Sequence, residues 1–194
     1  ENENLKLIVI SMPINEWTDP GCWQTYLANE YFKDRFPQRY LSLQLRSYDT
    51  IVQDVNETEG VIYDIYIHSK MMIIDDVYMS TGSANKNNRG ILYEGELSVA
   101  IFDEIAVKAE KNKIIKNLIG EDIEFDNSVD LFNFLKDRAQ YNDGVYQNWE
   151  NNNWIFDGSL ENIPSSFVPK GFIYTLPFNS PTECFVENIG ADIT

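Results

Sequence analysis

A largely apolar segment near the start of the chain restricts its fold more than any other feature. Residues Leu5 to Ile10 read LKLIVI and are rich in β-branched side chains, which is typical of a strand buried on both faces. Pro13 ends this strand. Aromatic and apolar residues then recur at helical spacing from Cys22 to about Arg35. A buried strand followed by a helix predicts an α/β fold.

Further strand patterns follow this helix. Tyr40 to Tyr48 alternates leucines with polar residues, as a half-buried strand does. The runs Val61 to Ile67, Met71 to Ile74 and Glu96 to Phe102 are also strand-like. Together they predict a mixed β-sheet flanked by helices.

The pattern changes after Asp103. Two amphipathic helices are predicted there, the first ending at Gly120 and the second beginning at an Asn127/Ser128 cap. The Asn- and Asp-rich residues 142–159 predict loops, and residues 166–178 predict an extended segment interrupted by prolines. We therefore expect a half-domain at residues 1–103, with residues 104–194 packed on it as an α-plus-extended C-terminal region. Alternatively, the two helices complete the outer layer of the sheet.

Composition narrows the classes of partner. The chain has 31 acidic and 15 basic residues and a net charge of −16. This charge opposes binding to nucleic acid, which is therefore not expected as a partner. No membrane-spanning or signal segment is visible in the sequence. A soluble, a peripheral membrane and a secreted location all remain open. Cys22 and Cys184 are too few for a disulfide framework, and their pairing stays open.

Polar residues with a strict spacing occupy residues 68–85. The order is H-x-K-x4-D-x6-G-S-x-N, in which six specified residues arise by chance at one position with a probability on the order of 10⁻⁸. A strand period of two places His68 and Lys70 on one face, about 7 Å apart along the chain, where one anion can contact both. The return run brings Gly82, Ser83 and Asn85 alongside, and such donors suit phosphoryl oxygens.

This spacing resembles the HKD motif of the phospholipase D superfamily. The match comprises His68, Lys70, Asp75, Gly82, Ser83 and Asn85, and Glu96 falls where the family has a glutamate that supports the motif histidine. Gly90 departs from the serine that is common in the family. The specific similarity covers residues 60–102, and a looser one begins at Leu5.

The resemblance implies roles for these residues. His68, Lys70, Asp75 and Glu96 are the expected catalytic group, and Lys70, Gly82, Ser83 and Asn85 are the expected phosphate-binding group. A carboxylate that fixes the tautomer of a neutral imidazole makes it a better nucleophile or base. Lys70, Ser83 and Asn85 would stabilise charge on the non-bridging oxygens, so no metal or other cofactor is expected.

Family members use two such motifs across one site, whereas this chain contains one histidine. We expect a second HKD half, either in the same polypeptide or in a homodimer mate. The abrupt start of the chain and the long region after Asp103 favour a fragment of a two-motif enzyme. Residues 148–178 are also faintly similar to the end of eukaryotic-type phospholipases D, which implies that His68 is the acid/base and not the nucleophile.

The function implied is hydrolysis or transphosphatidylation of a glycerophospholipid at a membrane surface, through a phosphohistidine. A nuclease, a cardiolipin-type synthase and a one-motif homodimer are the alternatives. Headgroup preference, acceptor alcohol and cellular compartment are not encoded in any visible feature of the sequence.

Overall fold

The computed structural model describes residues 4–12, 19–85 and 95–177. The elements in chain order are β1 (Leu7–Ile10), α1 (Asp19–Arg35), β2 (Tyr40–Asp54), β3 (Glu57–Asp64), β4 (Lys70–Ile74), β5 (Tyr78–Gly82), β6 (Ser98–Phe102), α2 (Glu104–Ile119), α3 (Ser128–Asn151), β7 (Ile155–Asp157) and β8 (Ile173–Thr175). Single 3₁₀ turns occur at Leu160–Asn162 and Ser165–Phe167. Within these ranges no helix has both the length and the apolar character needed to cross a bilayer.

A five-stranded mixed sheet forms around β2. Strand β1 pairs with it in parallel at residues 40–43, β3 pairs antiparallel at residues 46–54, and β8 pairs antiparallel at residues 43–45. Strand β7 extends the sheet beyond β3. The carbonyls of Leu43 and Leu45 accept from Ser11 of the β1 side and Ile65 of the β3 side, so β1 and β3 lie end to end along one edge of β2. The predicted α/β class with a mixed sheet is confirmed.

The remaining strands, β4, β5 and β6, form a separate antiparallel sheet. We expected the strand before His68 to run from Val61 to Ile67, but β3 starts at Glu57 and ends at Asp64. Residues 65–69 have no strand pairing. The chain therefore leaves the first sheet before the motif begins, and the motif lies in its own hairpin.

Helices α2 and α3 cover the β1–β2–β8 part of the first sheet. Their core combines residues from both parts of the chain, including Leu43 of β2, Ile119 of α2, Leu135 of α3 and Ile173 of β8. Each of these four side chains is fully buried. The core thus joins residues from both sides of position 103, and the division into 1–103 and 104–194 stays a prediction.

The Gly120 stop and the Asn127 cap follow the sequence signals, and Asp103 caps the start of α2. Asp103 accepts from the Ala106 amide at the start of α2, and Gly120 ends that helix in the left-handed region at φ 71°. Asn127 accepts from the amides of Val129 and Asp130, which begins α3. These local hydrogen bonds satisfy groups that a helix end leaves without partners.

Helix α3 is much longer than predicted, because residues 142–151 are helical instead of forming a loop. Val145 and Trp149 continue its buried face, and tertiary contacts override the low helix propensity of asparagine. The buried Asn142 side chain donates to the carbonyls of Lys170 and Ile173 at 3.0 and 2.8 Å. Asn142, which lies in the predicted loop, therefore attaches β8 to the helix. Residues 155–157 form β7, also against prediction.

The predicted extended segment at residues 166–178 forms β8 in its described part, after the single turn at Ser165–Phe167. The indole nitrogen of Trp149 donates to the Phe167 carbonyl at 2.7 Å. The question of a Cys22–Cys184 disulfide falls on side chains outside the described part of the chain.

Two glycines provide a test of this packing. A Cβ at Gly60 would lie 2.4–2.6 Å from the Trp149 indole, whereas a Cβ at Gly144, inside α3, meets nothing within 4 Å. We expect Gly60→Ala to lower the free energy of unfolding by about 1–3 kcal/mol. Gly144→Ala should raise it by about 0.5–1 kcal/mol, because alanine loses less backbone entropy in a helix. Urea unfolding followed by tryptophan fluorescence measures both, and equal effects would contradict the packing of α3 on β3.

Candidate active site

The motif lies on the β4–β5 hairpin and the segment just before it. His68 precedes β4 by two residues, and Lys70 is the first residue of that strand. Lys70 pairs across the hairpin with Gly82, which pairs in turn with Ser98 of β6. The register therefore places Lys70 and Gly82, twelve positions apart in sequence, in one row of the sheet.

His68 and Lys70 lie side by side at the open end of this hairpin. The Lys70 ammonium donates to the His68 backbone carbonyl at 2.7 Å. The exposed His68 ring stacks on Tyr66, with ring centroids 6.0 Å apart and 20° between the planes. An exposed imidazole next to an ammonium group is accessible to an anionic ligand.

Arg46 fixes the strand end that leads to His68. Its Nε donates to the Asp64 carboxylate at 2.6 Å, and its guanidinium lies 4.3 Å from the centre of the Tyr146 ring. Ile65 continues this anchoring by donating to the Leu45 carbonyl at 2.9 Å. No local sequence pattern marks Arg46, because its partners come from β3 and α3.

Burial raises the pKa of two acidic groups in this part of the protein, Asp143 and Tyr48. Burial raises the pKa of the Asp143 carboxyl, and this is only partly opposed by the hydrogen bond from Thr175 and the charge of Arg46. Burial also raises the pKa of Tyr48 to about 12, with Asp49 adding to the shift. Burial therefore favours the neutral form of the Asp143 carboxyl and of the Tyr48 hydroxyl.

The Asp75–Asp76 pair forms the turn of the hairpin. Both residues have positive φ, 50° and 60°, and the Val77 amide donates to the Ile74 carbonyl at 3.1 Å. This is the geometry of a type I′ turn, which aspartate tolerates. Four strand steps separate Lys70 from Ile74, or about 13 Å. Asp75 therefore lies away from Lys70, and no ion pair or hydrogen bond involves its carboxylate within the described residues.

Glu96 bonds to Ser83 and not to His68. The Ser83 hydroxyl donates to the Glu96 carboxylate, and its oxygen accepts from the Leu97 amide at 3.0 Å. The expected hydrogen bond between Glu96 and His68 is not found in the described ranges. Strand order explains this difference: β5 lies between β4 and β6, so two strand spacings, roughly 10 Å, separate the two backbones.

Gly82 is required by the approach of β6. A Cβ at this position would lie 2.3 Å from the Leu97 carbonyl oxygen and 2.6 Å from the Ser98 Cα. Asn85 is exposed and ends the described segment, so the loop that contains Gly90 falls outside the described residues. The structure thus brings Lys70, Gly82 and Ser83 to one end of the sheet.

The acidic residues of the described ranges do not cluster as metal ligands. No group of three or more His, Cys, Asp or Glu side chains in those ranges is arranged to hold a metal ion. The donors near the motif are instead an ammonium, a hydroxyl and a carboxamide. Such groups stabilise oxyanions by hydrogen bonding and charge.

Alanine at Gly82 should separate β5 from β6. We expect Gly82→Ala to lower the free energy of unfolding by about 1–3 kcal/mol, because the clash is with backbone atoms that cannot turn away. Amides of Ser98–Phe102 should exchange faster with solvent hydrogen. Gly95→Ala is the control, since its Cβ meets nothing within 4 Å, and it should change stability by less than about 0.5 kcal/mol. Equal exchange in both variants would argue against this β5–β6 register.

Comparisons with known proteins agree with the motif. Residues 27–119 match the family model described as the cardiolipin synthase, PLD-like domain. Phospholipase D zeta 2 of Arabidopsis thaliana is 37% identical over 78 residues, 39% of this chain and 7% of that protein. Phospholipase D A of Dictyostelium discoideum is 49% identical over 47 residues, 23% of this chain and 4% of that protein. The matches span less than a tenth of the length of these relatives. On these similarities, the chain belongs to the phospholipase D superfamily.

Proposed function

We propose that the chain is one catalytic half of a phospholipase D-type phosphodiesterase that acts on glycerophospholipids. The observation that carries this proposal is the hairpin register, which pairs Lys70 with Gly82 and leaves the exposed His68 two residues before β4. A cation and an imidazole in this arrangement suit a phosphodiester. The two curated relatives are both named phospholipase D, which supports a phospholipid as the substrate.

The proposed reaction needs a second imidazole, supplied by another HKD half. One histidine attacks phosphorus, forms an N–P bond and breaks the P–O bond to the headgroup alcohol. The other histidine protonates that leaving oxygen. It then removes a proton from water or an acceptor alcohol, which attacks phosphorus, breaks the N–P bond and releases the product. We assign the acid/base role to His68.

The remaining residues stabilise charge in this proposal. Lys70 leaves the His68 carbonyl to contact a non-bridging oxygen, and Asn85 contributes its amide hydrogens. Ser83 contributes its hydroxyl only when the hydroxyl turns away from Glu96. For Glu96 to orient the His68 imidazole, residues 65–69 before β4 must move towards Glu96, past the end of β5. Asp75 supports the hairpin through its turn and does not contact substrate.

The alternative is transfer of a phosphatidyl group to a second lipid. It is favoured by the matched family model, whose description names cardiolipin synthase. The chemistry is the same with a lipid alcohol in place of water. A nuclease is disfavoured by the net charge of −16. The second imidazole could also come from a second copy of this chain, in a homodimer that pairs two His68 residues across one site.

Activity assays of the chain alone, and of the chain together with a polypeptide that carries a second H-x-K-x4-D motif, test the proposal. On phosphatidylcholine vesicles the isolated chain should be inactive, because one histidine cannot serve both faces of a phosphorus. The pair should release choline, also in the presence of EDTA. Cardiolipin formed from phosphatidylglycerol would indicate the transferase, and cleavage of single-stranded DNA alone would indicate the nuclease. Turnover by a demonstrated monomer of the isolated chain would defeat the proposal.

The role of His68 can be tested with two leaving groups. His68→Ala should lower kcat on a natural phospholipid by roughly 10²–10⁴-fold, because the proton donor is lost. The loss should be much smaller on a p-nitrophenyl ester, whose leaving group needs little protonation. Ser69→Ala is the matched control, since it changes an exposed neighbour. Equal losses on both esters would make His68 the nucleophile.

A further inference from the structure

A lysine lies on the buried face of α2. Val107, Lys111 and Ile115 are spaced by four residues and so share one helix face. Val107 is fully buried and Ile115 is 9% exposed. A charged group on such a face is costly unless an opposite charge pairs with it.

The partner of this lysine is in the turn of the motif hairpin. The Lys111 ammonium lies 2.5 Å from Asp76 Oδ1 and 2.7 Å from Asp76 Oδ2. The two side chains are only 19% and 32% exposed. Solvent therefore screens this pair less than the Lys113–Glu110 pair of the same helix, where the lysine side chain is 70% exposed.

Few other contacts attach the motif hairpin to the rest of the protein. Strands β4–β6 share no strand pairing with the other sheet. The β4 residues Met71, Met72 and Ile74 are 39–45% exposed, whereas Met79 of β5 is buried. Across the described ranges, the Lys111–Asp76 pair is the one ion pair between the hairpin turn and another element. It therefore fixes the closed end of the hairpin against the helical layer.

A role limited to stability would not require charge at this position. Replacing a largely buried ion pair with apolar residues is often neutral or stabilising, and Val107 and Ile115 show that α2 presents aliphatic side chains to the same layer. An ion pair differs in being specific for one partner and one geometry. That specificity suits a contact whose purpose is to fix orientation.

We propose that Lys111 is a positioning residue, which orients His68 and Lys70 by holding Asp76 at the opposite end of their hairpin. The effect on catalysis rests on the proposed function, whereas the effect on the hairpin's orientation does not. Because β4 is short and paired along its full length with β5, rotation at the turn moves Lys70, about 13 Å away, with the strand.

Hydrogen exchange in this 194-residue chain tests the geometry without any turnover. Lys111→Met, which keeps the aliphatic stem, should accelerate exchange of β4 and β5 amides roughly threefold to tenfold and leave α3 amides unchanged. Lys111→Arg should behave as the unchanged chain, and Lys113→Met is the matched control. Unchanged hairpin exchange in Lys111→Met, or equal acceleration in α3, would overturn the proposal.

The single histidine of the chain provides a second readout. The ring resonances of His68 in an NMR spectrum should shift in Lys111→Met and in Asp76→Asn, which tolerates the left-handed turn position. The double variant should shift them no further than either single change, because both remove the same contact. Resonances that move only with Lys113→Met, or not at all, would overturn the proposal even where lipid hydrolysis is confirmed.

The two readouts remain valid where phospholipid proves not to be the substrate, so failure of the proposed function and failure of this inference are distinguishable. In an assembly that turns over phospholipid, Lys111→Met should lower kcat roughly threefold to tenfold with KM unchanged, and Lys111→Arg should restore it. An unchanged kcat would count against positioning.

Discussion

The hydrogen bonding of β2 is the constraint on which the rest of the structure depends. Within 15 residues this strand pairs with β1, β3 and β8. Its first half buries Leu41 and Leu43 under the two C-terminal helices, while its second half carries the β3 hairpin toward the motif. A slip of one residue would turn Leu43 to the opposite face. The core thus fixes the register that decides where β3 ends and where the segment containing His68 begins.

The motif itself is attached to this core by few contacts. Arg46 holds Asp64 before the motif, Lys111 holds Asp76 at the turn, and Asp103 caps α2 directly after β6. On β4 the hairpin leaves Met71, Met72 and Ile74 largely exposed, while Met79 of β5 is buried. The β4 side of the hairpin is therefore held by directional polar contacts at its two ends, and the β5 side by the packing of Met79.

The sequence predicted those features that depend on local spacing. The cap at Asn127 and the stop at Gly120 both use short-range hydrogen bonds or backbone angles. The predicted end of α3 was wrong, because the hydrogen-bond partners of Asn142 lie 28 and 31 residues away in sequence. The division into two sheets was missed for the same reason: strand patterns give the period of each strand, not its neighbour.

The contact between Ser83 and Glu96 illustrates how far a motif can specify a site. The motif fixes which residues are present, but β5–β6 pairing decides that Ser83 faces Glu96. Since a hydroxyl has one hydrogen to donate, Ser83 cannot donate to Glu96 and to a phosphoryl oxygen at once. A ligand that accepts the Ser83 hydrogen bond would leave the Glu96 carboxylate without this donor. A carboxylate that loses its donor is less stable unless another donor replaces it. The imidazole of His68 lies on the far side of β5, so the expected role of Glu96 would also require the segment before β4 to come closer.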